Sequence, residues 1–155
     1  MKTLNSFSVL IENTGASQIA FFVIGAINNL TNSRPNIDVI LFYENKHKDC
    51  ISTNFSTMQI SECWGYNGPV IATSFSTAKK LINLPSTSKK IFYVWNLEWM
   101  GVNKYEDYEG VYTNKNIELV ARSDDHKKII ENTFNRKVSR VISDFNIQDI
   151  LEVLE

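Results

Sequence analysis

Cysteine and histidine are scarce in this sequence of 155 residues: Cys50, Cys63, His47 and His126 are all there are. The cysteines show no CxxC spacing, so a zinc site is not expected. A reduced cytosolic thiol pair is the expectation, and spacing alone leaves a single disulfide open as the alternative. Charge of one sign is also missing. The formal net charge is -1, which argues against a general electrostatic grip on nucleic acid or on an anionic membrane. The longest apolar cluster, Ile19 to Ile27, is broken by Gly25 and stops at Asn28-Asn29, well short of the roughly 20 residues a spanning helix needs. The opening MKTLNSFSVLIENTG lacks the apolar core and cleavage site of a secretory signal, so a cytoplasmic protein is expected. The dinucleotide fingerprint GxGxxG and the GxSxG elbow of serine hydrolases are both absent, as are internal repeats, linkers and low-complexity tracts.

What is present is ordinary globular material, 43% hydrophobic and 21% charged. One domain spanning residues 1–155 is expected, and a chain of this length buries roughly two-thirds of its unfolded surface. The organising stretch is Gly68 to Trp99. Val70-Ile71-Ala72 is a short apolar strand opened by Gly68-Pro69. Ser74, Ser76 and Thr77 offer N-cap hydroxyls for a helix carrying Ala78, Leu81, Ile82 and Leu84. Pro85-Ser86-Thr87-Ser88 stops it. Ile91 to Trp95 then runs apolar without alternation, as a strand covered on both faces does. Strand, helix and strand make a parallel βαβ unit, which brings Thr73-Ser74 and Asn96-Leu97-Glu98-Trp99 to one edge of a sheet. Open parallel sheets bind ligands at that carboxyl edge.

The flanks repeat the pattern. Ser6 to Glu12 reads as a strand, Ser17 to Leu30 as a helix with a wide apolar face, and Ile37 to Tyr43 as a second strand. Gly25 in that helix suggests close approach to the sheet. Glu44 to Asn54 reads as a polar surface loop and Met58 to Trp64 as a short edge strand. Met100 to Asn116 is expected to be irregular with one helical turn. Ile117 to Ala121 is a strand, Ser123 caps a helix over Asp124 to Phe134, Lys137 to Ile142 alternates as a last strand, and Asn146 with Asp149 opens a C-terminal helix. The fold class is therefore α/β, a three-layer sandwich on a mostly parallel, Rossmann-like sheet.

Several residues are candidates for chemistry. Asn13-Thr14-Gly15-Ala16 is either a plain tight turn or a set of backbone N–H groups aimed at an anion. Glu98 is either a sugar-binding carboxylate with Trp99 as its stacking platform, or a turn carboxylate beside a packing tryptophan. Glu12 ends the first strand at the same edge, and a paired-carboxylate reaction would require the two glutamates to converge. Ser74 and Ser123 are capping serines at the ligand edge. His126 is either a substrate contact or a solvent-facing helix residue. Tyr105, Tyr108 and Tyr112 are either a recognition surface or loop anchors.

The central residues Ile71-Ala72-Thr73-Ser74, Thr77-Ala78, Lys90, Tyr93-Val94 and Glu98 resemble a segment of GT-B glycosyltransferases. The opening SVLIENTGASQ is similar to the first strand and glycine turn of those enzymes, and IELVARSDDHKKIIENTFNRKVSRVISDFN resembles a later strand that ends at a serine before a helix. Trp95-Asn96 stands where the family has a Gln-Asp pair. GT-B enzymes have two Rossmann-like domains, and the resemblance covers the N-terminal, acceptor-side one. It implies a glycosyltransferase-related domain that binds a sugar or nucleotide-sugar-like ligand through Asn13, Thr14, Gly15, Ser74, Asn96, Glu98, Trp99, Ser123 and His126, with no bound cofactor. Transfer would then need a separate donor-domain chain or a homo-oligomer. The rival reading is a non-catalytic protein-interaction module with Trp95, Trp99 and nearby tyrosines as its surface. A flavodoxin-like regulator is disfavoured, because no acidic cluster or phosphate loop is evident.

Overall fold

The computed structural model describes residues 4–85, 87–103 and 105–155. Met1–Thr3, Ser86 of the expected helix stop and Lys104 of the Met100–Asn116 stretch lie outside the described residues. The strands are β1 (Ser6–Asn13), β2 (Asp38–Asn45), β3 (Ser56–Gln59), β4 (Val70–Ala72), β5 (Lys90–Val94), β6 (Glu118–Ala121) and β7 (Arg140–Val141). They form one sheet in the order β3-β2-β1-β4-β5-β6-β7, with every neighbouring pair parallel. The helices are α1 (Gln18–Ser33), α2 (Phe75–Ile82), α3 (Glu106–Tyr112), α4 (Asp124–Phe134) and α5 (Ile147–Leu154). This is the expected three-layer, Rossmann-like α/β sandwich.

Alternation along the strands builds two cores. Phe7, Val9 and Ile11 of β1, with Ile91, Tyr93 and Trp95 at β5, pack against α1 and α5. Leu10, Phe92 and Val94 point the other way, onto α2, α3 and α4. The unbroken apolar run at 91–95 is thus explained by burial on both faces. In α1 the spacing of Ala20, Val23, Ile24, Ile27 and Leu30 puts five buried side chains on one face. Removing a large aliphatic side chain of this kind from water contributes about 1.5–3 kcal/mol. Gly25 does not face the sheet; a Cβ there would meet only Ile51 at 3.8 Å. The segment expected as a polar surface loop lies on α1. Cys50, Ile51 and Phe55 pack on the core there, and Asn28 bonds Ser52 and Asn54 at 2.8 and 3.0 Å.

Three expected elements differ. β3 ends at Gln59, and Ile60–Gly65 is a 3-10 helix because the Gln59 side chain accepts the Ser61 N–H at 2.9 Å and turns the chain. The stretch after Trp99 holds a real helix, α3. Glu106, Asp107 and Glu109 favour its N-terminal dipole, and Val111 and Tyr112 anchor it in the core. β7 is only two residues long, since the Val138 N–H is drawn to the Glu131 carboxylate at 2.9 Å.

Candidate functional site

The sheet order places β1 beside β4, and the helices that follow them leave on opposite faces. A crevice opens wherever neighbouring strands send their helices apart, at the carboxyl ends. Here it is a cavity of about 190 Å³. Glu12 and Asn13 enter it from β1, Ser17 from the start of α1, Ser74 from the end of β4, and Asn96 and Glu98 from the end of β5. Ile11, Ile19 and Trp95 form its apolar wall. Four of the expected residues, Asn13, Ser74, Asn96 and Glu98, therefore meet in one place, and Glu12 joins them.

Local structure holds each one. Ser74 is the N-cap of α2, and its hydroxyl accepts the Thr77 N–H while Thr77 Oγ1 accepts the Ser74 N–H at 3.0 Å. Glu98 opens a 3-10 turn, Glu98–Gly101, and its Oε2 accepts the Phe75 N–H at 2.6 Å. That bond ties the end of β5 to the first turn of α2 and places a carboxylate at the positive end of a helix. Burial pushes the Glu98 carboxyl above its ordinary value. The Phe75 N–H holds the shift back, and the Glu12 charge adds to it. Asn13 Oδ1 accepts the Gly15 N–H at 3.0 Å, which leaves its two amide donors for a ligand. Asn96 is exposed. Beyond the wall, the Arg122 guanidinium lies 4.1 Å from the Trp95 ring centre, and Trp95 is only 3% exposed.

Five expected residues are not in the cleft lining. Thr14 is fully buried; its hydroxyl donates to the His47 carbonyl at 3.1 Å and its own carbonyl accepts the Cys50 N–H. Gly15 is buried too, with a Cβ position only 3.0 Å from His47. The segment between β2 and β3 therefore covers Thr14 and Gly15 of this turn, and the Gly15 N–H is already taken by Asn13. Trp99 is 6% exposed and packs edge-on against Tyr112 and Phe134 at 4.7 and 4.8 Å. A ring enclosed in the core offers no face to a sugar, so the stacking role is corrected. Ser123 and His126 lie at the end of β6, one strand beyond those that form the cleft. Ser123 caps α4 by accepting the His126 N–H. His126 Nδ1 is buried without a partner among the described residues, and burial lowers the pKa of the ring, with Arg122 adding to the shift.

Sequence reading did not single out Ser17 for this edge, although its place just after β1 as the N-cap of α1 was a usable signal. Both tryptophans and Tyr112 of the expected aromatic surface are buried, and of its tyrosines Tyr105 is exposed. Exposed apolar side chains beyond β5 are Met100, Val102 and Tyr105. Cys50 and Cys63 are both free thiols. Among the described residues no group of His, Cys, Asp and Glu could hold a metal ion, and no helix is long and apolar enough to cross a membrane.

Fold and cleft together define a Rossmann-like α/β protein with a polar pocket at the switch point of its sheet. Comparison with models of protein families, with curated proteins and with solved structures finds no match to this chain.

Proposed function

We propose that this chain is a glycosyltransferase-related domain that binds the sugar of a glycan or nucleotide-sugar-like ligand in the switch-point cleft. The observation that carries the reading is the convergence of Glu12, Asn13, Ser74, Asn96 and Glu98 around one small cavity. Carboxylates accept hydrogen bonds from hydroxyls, and amides both donate and accept, which suits a polyhydroxylated ring. Two glutamates and no cation in the lining disfavour a phosphate there, so the diphosphate of a nucleotide sugar would lie outside the cleft. At about 190 Å³ the space is below the roughly 300–1,000 Å³ of pockets for drug-sized ligands and suits a single ring. The kinship with GT-B enzymes rests on the resemblance of the 71–98 segment. In this reading the chain is the acceptor-side half, and transfer requires a donor-domain chain or a second copy.

A thermal-shift screen with methyl glycosides, UDP-glucose, GDP-mannose and the bare nucleotides tests this. A sugar-bearing probe raises the melting temperature, the bare nucleotide does not, and Glu98→Gln abolishes the rise. Equal stabilisation by nucleotide alone, or a shift that survives Glu98→Gln, overturns the reading. The rival, a non-catalytic interaction module, is supported by exposed Met100, Val102 and Tyr105. It predicts no shift with any probe, and association that Met100→Ser removes.

A further inference from the structure

On the α2 face, the sheet between β1 and β3 is covered by the short 3-10 helix Ile60–Gly65 rather than by an α-helix. Only Cys63 of that turn is buried. The buried residues beneath it are Leu10 of β1, Phe42 of β2 and the Cys63 thiol of the turn itself. A cover this short leaves space beside α2. The result is a cavity of about 390 Å³ between the turn and α2, floored by Leu10 and walled by Ile60, Cys63 and Leu84. Its volume falls within the roughly 300–1,000 Å³ range of small-molecule sites. Trp64 lines it while 62% exposed, an unusual position for the largest apolar side chain. Burial pushes the Cys63 thiol up to about 11, so it is neutral, apolar lining at ordinary pH.

Lys80 brings the one charge to this lining. Its side chain is 49% exposed, and its ammonium pairs with Glu44 at 3.0 Å. Glu44 also accepts a hydrogen bond from Ser76 Oγ at 2.8 Å. The lysine can therefore turn toward an anion at the cavity while Glu44 keeps a partner. We propose that this cavity is a second ligand site, taking a compact apolar carboxylate whose body lies between Leu10, Cys63 and Leu84 beside the Trp64 ring and whose anion meets Lys80. The site is separate from the switch-point cleft and does not rest on the sugar reading.

The test is titration of the full chain with octanoate, and with octan-1-ol as its neutral counterpart, followed by calorimetry and tryptophan emission. Trp95 and Trp99 are buried, at 3% and 6% exposure, so a change in the solvent-exposed emission reports on Trp64. Octanoate binds saturably with one site per chain and shifts that emission to the blue. Lys80→Met weakens octanoate by roughly fivefold, the value of about 1 kcal/mol for a half-exposed charge pair, and leaves octanol unchanged. Cys63→Leu, checked for a native circular-dichroism spectrum, fills the space and abolishes both. Absence of saturable octanoate binding to the unaltered chain overturns the proposal. So does a Lys80→Met chain that loses octanol as much as octanoate, or a folded Cys63→Leu chain that binds undiminished.

Discussion

At the amino edge of the sheet, Arg136, Lys89 and Lys90 line an open groove of about 610 Å³. At the carboxyl edge, Glu12 and Glu98 line one of about 190 Å³. By composition alone the first is the better site, a basic hollow ready for an anion. Three of its four lining cations, however, are occupied, and only the exposed Lys115 has no partner among the described residues. Arg136 donates to the carbonyls of Tyr112, Asn114 and Ile117. Lys90 donates to Ile82 and Leu84 at 2.8 and 2.6 Å, and Lys89 to Val153. Apart from that of Ile117, which precedes β6, these carbonyls lie at or just beyond the C-terminal ends of α2, α3 and α5, where the helix leaves acceptors unmet and carries partial negative charge. At the other edge one oxygen of Glu98 is held by α2, whereas Glu12 has no ion pair among the described residues and Asn96 is exposed. A site is marked by the polar groups the fold leaves uncommitted, rather than by how many it gathers.

Substitutions at the two edges should therefore separate stability from binding. Arg136→Met leaves three part-buried carbonyls without their donor and should cost about 3 kcal/mol in urea unfolding, with no effect on ligand. Lys90→Met should cost about 1 kcal/mol. It removes two hydrogen bonds, but burial already holds the lysine pKa below its ordinary value, so the loss is partly offset. Ser123→Ala should cost about 1 kcal/mol as a lost N-cap while leaving ligand binding intact, since β6 does not reach the cleft. A drop in ligand affinity for Ser123→Ala would widen the site beyond β5. Glu12→Gln should change stability by less than about 0.5 kcal/mol and still remove the ligand-induced melting shift.

Glu98 gives the comparison a pH signature. Burial raises its pKa above the ordinary 4.5 of a glutamate, so the folded chain binds this proton more tightly than the unfolded chain. Stability carried by the protonated form is then lost as pH rises from 4.5 through the raised folded value. Denaturation midpoints measured upward from pH 4.5 should fall in the unaltered chain, and Glu98→Gln should flatten that fall.

Much of this layout was legible in the residues. The continuous apolar run at 91–95 announced a strand buried on both faces, and its two side-chain sets do go to the two cores. Ser74, Asn96 and Glu98 were placed at one edge by βαβ logic, and the Glu98–Phe75 bond shows those segments in contact. Which of the two readings of Trp99 holds was not legible, because its direction is set by the 3-10 turn at Glu98–Gly101, which rolls the ring inward onto Tyr112 and Phe134. The burial of Thr14 and Gly15 was not legible because their cover arrives from His47 and Cys50, more than thirty residues away, which no local pattern reveals. Ser123 and His126 share the strand-end chemistry of the site. Only the strand order shows that β6 is one position too far from β1.

The most direct test is a nitrogen-15 amide map of the full chain titrated with the sugar-bearing probe that gives the largest melting shift. Shifts should concentrate at Glu12, Asn13, Ser17, Ser74, Asn96 and Glu98, leaving Lys89, Lys90 and Arg136 still. Shifts centred on the basic groove, or spread evenly over both ends of the sheet, would contradict the assignment of the cleft.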